Sequence, residues 1–319
     1  MAVKASGTIS FDDLRTETGI TGAISLGSGA VQDLIGAVSN VSIGNAYSKT
    51  RDFTFNVPAL GARSFITNLA YDAGWQGTGN IVAVIQQGTV TSTLVTGQNP
   101  WGTIALYNSG YIMGKGGNGG EGTKGTLDST VPVFSNYTPG QPGLAGAEGL
   151  VVSTPSQNRV QRYVSVYNFG TIAGGGGGGG GGDGIAAGFQ NNCDIAGGGG
   201  GGGGRGNQGG NGGLGGQVSV IAGGGYASPG GLGNAGTQNS AGGGGTAGVL
   251  VQFSGDWVAG AGGNGGALGA AGTSGGVNNA GWAGVGSGGA GGSAVLNSAN
   301  INGTASLFGN NGTVIGTIA

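Results

Sequence analysis

Few residues in this 319-residue chain are equipped for chemistry. It has no histidine, so the commonest general base, the usual partner of a Ser or Cys nucleophile and the commonest metal ligand are all missing. Cys193 is the single cysteine, which rules out an intrachain disulfide and a thiolate zinc cage; it reads as a small buried thiol. Acids of the glycine-rich half such as Glu121, Glu148, Asp183 and Asp194 are scattered. Nothing in their spacing pairs two carboxylates for sugar cleavage, and they read as solvated loop acids. Glycine is so frequent that G-x-G-x-x-G matches throughout and discriminates nothing. The stretch Gly110-Tyr-Ile-Met-Gly-Lys-Gly116 has one residue too few for a phosphate loop, and Gly116 stands where Ser or Thr is needed. The expectation is a protein without catalytic residues, cofactor or metal.

What chemistry remains is recognition. Aromatic residues mixed with Asn, Ser and Gly occur in 132–139 with Phe134, Asn136 and Tyr137, in 187–191 with Phe189 and Gln190, at Tyr226, and in 278–282 with Trp282. Rigid aromatics supply contact area at low entropic cost while small polar groups adapt their hydrogen bonds, which is the chemistry of binding loops. These seven residues are the candidate contacts; Trp257, near the apolar run 249–253, is expected to pack on strands instead. Charged residues are 7% of the chain and the net charge is −2, so no basic stripe is available for nucleic acid or an anionic membrane. No run of about 18 strongly apolar residues suggests a membrane span. The opening Met1-Ala-Val-Lys4 leads into polar sequence without a secretory apolar core, so assembly in a host cytoplasm is expected.

Three kinds of sequence must hold those loops. Residues 1–50 look conventional: Ser10 is a good N-cap, Asp12 and Asp13 suit the positive end of a helix dipole, and Gly19 can stop the helix. A second short helix is expected over 30–35. Residues 51–110 read as a small β domain, a sandwich or rolled sheet. Phe53, Phe55 and Val57 alternate onto one face, 64–69 reads as a strand, 81–87 and 89–96 flank Gly88 like a hairpin, and 103–107 is a further strand.

Residues 111–319 hold most of the 86 glycines. A pattern Asn-x-Gly-x-Ile-x-Gly begins at Asn108, Asn168, Asn191 and Asn310, with a looser copy from Gln217. Its first half reads as a turn, and Ile112, Ile172, Ile195, Ile221 and Val314 as inward anchors. Glycine runs cover 114–125, 174–184, 197–216, 223–236, 242–248, 260–276 and 281–292. An α-helix loses about 1 kcal/mol per Gly relative to Ala, and collagen needs Gly at every third place with abundant Pro. Unbroken Gly174–Gly182 and only 7 Pro fit neither. Polyglycine II, a threefold extended helix that bonds only sideways, is the expected form.

This alternation of glycine segments with aromatic and polar loops resembles the tip adhesins on long tail fibres of T-even-type bacteriophages. The resemblance implies a sandwich of polyglycine II helices displaying loops that bind a bacterial outer-membrane protein or surface glycan. The run Ser6-Gly-Thr-Ile-Ser-Phe-Asp-Asp-Leu-Arg-Thr-Glu17, followed by Ile24-Ser-Leu and Ala30-Val-Gln-Asp-Leu-Ile-Gly36, resembles a module that opens many tailed-phage structural proteins. It implies that residues 1–50 attach to another tail or tail-fibre protein. The expected fold is therefore mostly β and non-α, with an attachment module, a β domain and a glycine-rich sandwich in a virion. Two other readings stand beside it: a virion fibre protein whose glycine bundle is a spacer, and an ice-binding bundle, which would need a flat face of regularly spaced short residues.

Overall fold

The computed structural model describes residues 10–21, 23–26, 30, 31, 34, 52–77, 79–97, 102–124, 138–153, 164–189, 192–217, 219–220, 226–252, 255–279, 284–300 and 312–319. It is mostly β with few helices. Helix α1 (Phe11–Thr18) forms as its ends dictate: Ser10 and Asp13 make a reciprocal capping box, and Gly19 closes the helix in the left-handed region at φ 71°. Ala30, Val31 and Leu34 are helical, and Val31 and Leu34 are buried, where the second short helix is expected.

Strands β1 (Phe53–Asn56) and β2 (Ser64–Phe65) are followed by helix α2 (Ile66–Asp72). Then come β3 (Ile81–Ile85), β4 (Val90–Thr91), β5 (Leu94–Val95), β6 (Ile104–Asn108), β7 (Tyr111–Met113), β8 (Leu150–Val151), β9 (Val164–Asn168) and β10 (Thr171–Ala173). Far along the chain, β17 (Val295–Leu296) and β18 (Thr313–Ile315) return to them. These strands make three sheets, ordered β1-β3-β6-β9, β4-β7-β10-β18 and β2-β5-β8-β17, with every neighbouring pair parallel. The chain therefore winds as a coil, laying one strand on each face per circuit.

Like residues stack from circuit to circuit: Ile81 on Ile104 on Val164, Ile112 on Ile172 on Val314, Leu94 on Leu150 on Val295. Their side chains fill one core with Phe55, Ile66, Ile85, Leu106 and Val166. The expected sandwich and the hairpin about Gly88 are thus replaced by parallel winding. Both edges of β3 are taken, by β1 and β6, so β4 has no edge of β3 to return along and pairs with β7 instead. Gly88, at φ 82°, only turns the corner. The expected strand over 64–69 is two residues of strand and then α2, because Ile66 and Ala70 lie one helical turn apart and both are buried.

The Asn of the repeat builds another corner. Asn108 Nδ2 donates to Asn168 Oδ1 at 2.8 Å, Asn108 Oδ1 accepts from the Gly110 amide, and both asparagines are fully buried. Ile112 and Ile172 are buried anchors as expected, and Val314 is partly buried against the same core. The copy at Asn191 differs. It lies on a strand of an antiparallel hairpin. The Ile195 side chain and all of Ile221 lie outside the described residues.

Two glycine-rich insertions leave the coil after its second face, from β7 and β10, and return at its third, to β8 and β17. Their extended segments run 114–124, 138–149, 174–184, 197–205, 209–217, 228–237, 241–248, 259–267, 270–279 and 284–294, in neither helix nor ladder strand. Their hydrogen bonds point sideways with a period of three. The amides of Gly175, Gly178 and Gly181 donate to Ala147, Leu144 and Gln141. Those of Gly176, Gly179 and Gly182 donate to Arg205, Gly202 and Gly199, and those of Gly177, Gly180 and Asp183 to Ala270, Thr273 and Gly276. The carbonyls of 175–183 accept, with the same period, from 117–123, 260–266 and 286–292.

Segment 174–184 thus has six neighbours, and so does 197–205. They carry the unbroken runs Gly174–Gly182 and Gly197–Gly204 because a Cβ at any of those positions would strike a neighbouring backbone. Segments on the rim keep one row free. In 114–122 the residues other than Gly are Lys115, Asn118 and Glu121, and in 209–217 they are Asn211, Leu214 and Gln217, each every third place. In 228–237 and 270–279 mainly every third residue is glycine: Gly230, Gly233 and Gly236, then Gly272 and Gly275. Gly114 and Gly116 lie within this packing, against Ala147 and Gly204, which leaves no phosphate-binding loop.

Candidate functional site

The glycine segments alternate in direction, so their crossings fall at two ends. At the near end, against the coil, lie 206–208, 238–240 and 268–269. Asn207 Nδ2 donates to the Leu60 carbonyl at 2.7 Å, and Leu268 packs with Met113, Ala173, Val90 and Ile315. The outer end carries six further strands: β11 (Ile185–Phe189), β12 (Asn192–Ala196), β13 (Ser219–Val220), β14 (Tyr226–Ala227), β15 (Val249–Gln252) and β16 (Gly255–Val258). They form two antiparallel three-stranded sheets, β11-β12-β13 and β14-β15-β16. Ile185, Ala196, Leu250 and Ala259 make a small core there, with Ala227 and Trp257 against it. Trp257 thus packs on strands, as expected. Its Nε1 is buried without a hydrogen-bond partner.

Each candidate contact is placed by these elements. Phe189 ends β11, paired with Asn192, and Tyr226 begins β14, paired with Val251; only their backbones are described. Phe134, Asn136, Tyr137, Gln190 and Trp282 lie outside the described residues. The residues flanking them do not. Lys124 and Thr138 exchange backbone hydrogen bonds of 3.1 and 2.8 Å at the roots of 125–137. Asn279 and Gly284 flank 280–283, and Gly284 accepts from Gly140 beside Thr138. Every stretch carrying a candidate therefore departs from the outer end.

Sequence reasoning missed two things here. Beyond the apolar run 249–253, the outer strands stand where the sequence reads as loops; in β15 the β-branched run Val249-Leu-Val251 is the available signal. Asp183 was also misjudged as solvated. It is fully buried, its carboxylate accepting from Asn278 Nδ2 at 2.7 Å. The first strand of the outer end begins two residues later, so Asp183 sits where the lattice closes, and six-neighbour packing excludes water from it. Glu121 is paired with Lys124 on the rim, and Cys193 lies on β12 with only its backbone described. Among the described residues no three acids, cysteines or histidines gather as a metal site.

Residues 44–190 match the family model of the phage tail fibre adhesin Gp38. No curated protein matches. Among solved structures the chain is similar to a chain in the crystal structure of the gp37–gp38 adhesin tip complex of the bacteriophage S16 long tail fiber, at 19% identity and TM-score 0.41, covering 100% of this chain and 96% of that one; at that score the likeness carries no argument. The family match takes in β1 to β11, which is most of the coil, the first glycine insertion and the fully glycine segment that opens the second. Over that stretch, just under half of its length, the chain is similar to the phage tail fibre adhesins.

Proposed function

We propose that the protein sits at the tip of a phage tail fibre, in the virion, and recognises the host by binding an outer-membrane protein or surface glycan through the outer crossings of its glycine segments. The observation that carries this reading is the shared end. All stretches bearing Phe134, Asn136, Tyr137, Phe189, Gln190, Tyr226 and Trp282 leave the same face, whereas the opposite crossings meet the coil. The segments between can offer little but backbone, which distinguishes no surface molecule from another. Binding energy concentrates in Trp and Tyr at protein interfaces, and loops on a rigid frame vary without disturbing it. The action is binding rather than catalysis.

The frame is a sandwich of polyglycine II helices in this reading. The three-residue period of the sideways hydrogen bonds supports it, since a threefold helix returns each face every third residue. The chain divides into 1–50 as attachment module, 51–110 as β domain and 111–319 as glycine-rich sandwich, with β7, β8, β9, β10, β17 and β18 of the last part completing the sheets of the second. The partner of residues 1–50 is another tail or tail-fibre protein.

The test replaces 125–137, 189–191, 221–226 and 280–283 with Gly/Ser segments of equal length. Folding is retained and adsorption to host cells is abolished. If adsorption persists with all four replaced, the bundle is a spacer and recognition lies elsewhere.

A further inference from the structure

Buried polar side chains are rare in the glycine insertions. Among the described residues of 114–149 and 174–294 they are Thr123, Asp183 and Asn278, and all three lie in the layer where the lattice ends and the outer crossings begin. Thr123 Oγ1 donates to the Gly182 carbonyl at 3.1 Å, beside the root of 125–137. Asn278 Nδ2 donates to Asp183 Oδ2 at 2.7 Å and to the Gly184 carbonyl at 2.8 Å. The next residue faces the other way. Asn279 Oδ1 accepts from the Val258 amide at 3.1 Å, and its own amide donates to the Val258 carbonyl at 3.2 Å.

A buried carboxylate in a lattice of uncharged backbone is costly unless well bonded. At the same end the neighbouring central segment enters the lattice through the buried Ala196 and Gly197, with no polar side chain. Lattice packing therefore does not require an acid at this depth, and a short apolar residue would avoid the desolvation. What the carboxylate adds is direction. A charge-assisted hydrogen bond fixes one amide rotamer of Asn278, and with it the point where the chain leaves for 280–283. The same Asn278 amide ties that point to the root of the β11–β12 hairpin through Gly184.

We propose that Asp183 and Asn278 are positioning residues that lock the root of the 280–283 crossing to the root of the β11–β12 hairpin, so that these two roots are held in one fixed relation. Its value for recognition rests on the reading that these crossings contact the host.

The test measures amide exchange by NMR on the full chain, comparing wild type with Asp183→Ala, Asn278→Ala and the double variant. The reporters are the Val258 and Asn279 amides; those of Gly200 to Gly203 serve as internal reference. Breaking a charge-assisted bond accelerates exchange at the reporters by about tenfold or more while the reference is unmoved. The double variant goes no further than the faster single one, because the pair acts as a unit. Unchanged reporters overturn the proposal, and so does acceleration spread equally into the reference. If the alanine variants do not fold, Asp183→Asn keeps the shape and an acceptor oxygen; it accelerates the same reporters by about threefold, and no change there overturns the proposal. Adsorption to intact host cells is read alongside. Loosened reporters with undiminished adsorption uphold the lock and refute host contact by these crossings.

Discussion

Gly178 and Gly243 carry opposite expectations for the same substitution. Gly178 is central to the all-glycine segment 174–182. Its amide donates to Leu144, and its carbonyl accepts from Gly289. A methyl group added there would stand 1.9 Å from the Asn118 carbonyl oxygen, with that carbonyl carbon at 2.4 Å. Ordinary contact begins near 3.4 Å, so the two segments must part by more than an ångström, and both are held by three-residue ladders on their other sides. Overpacking costs about 1–3 kcal/mol, and each backbone hydrogen bond stretched out of range adds about 1 kcal/mol. Gly178→Ala is expected to destabilise by roughly 3 kcal/mol or more. At Gly243 the nearest atoms to an added methyl are Asn234 Nδ2 at 3.6 Å and Asn264 Oδ1 at 3.9 Å, both on side chains. Gly243→Ala is expected to be neutral or to stabilise by about 0.5 kcal/mol, because alanine restricts the unfolded chain. Parallel denaturant melts of the two variants measure the difference. A Gly178→Ala midpoint at the wild-type value, or equal losses in both variants, would refute the six-neighbour packing.

Three further outcomes are expected. Ile172→Ala removes a fully buried side chain stacked between Ile112 and Val314 and costs about 2–5 kcal/mol, read from the same melts. Ser10→Ala deletes the hydroxyl half of the capping box, leaving the residue 10 amide on the Asp13 carboxylate, and frays α1, costing about 1 kcal/mol locally; faster amide exchange at Asp13, with the coil unchanged, checks it. Deleting residues 1–50 leaves purified protein able to bind host cells but absent from assembled particles, and normal incorporation of the truncated chain speaks against an attachment role for that segment.

What could be read from the sequence depended on whether a signal was local. The α1 caps are fixed by Ser10, Asp13 and Gly19 within ten residues, and their geometry is as expected. Phe53, Phe55 and Val57 alternate as a half-buried strand does. The coil was not legible, because β2, β4, β5, β8 and β17 are two residues long and carry no period at all. Their identity comes from stacking on strands far along the chain, as Leu150 does between Leu94 and Val295. The glycine runs announced their unusual backbone, but depth in the lattice is written in a finer code. Unbroken glycine marks the two central segments, two glycines in three mark much of the rim, and one in three marks its most open positions. That code becomes readable only once the neighbours are known. Asp183 shows the limit most clearly, since an acid flanked by glycines looks solvated until six segments are seen around it.

The period of three also governs how the gene for such a protein can change length. One codon inserted into 174–182 or 197–204 would shift every later residue by a third of a turn. In a rim segment it would swing Lys115, Asn118 and Glu121, or their counterparts, into a neighbouring backbone. Only additions or losses of nine nucleotides, or multiples of nine, leave the facing of a segment unchanged, and even these must keep its crossings level with the rest. The outer crossings obey no such arithmetic. Both ends of each return to one layer, so a crossing can gain or lose any number of codons without touching the lattice beneath it.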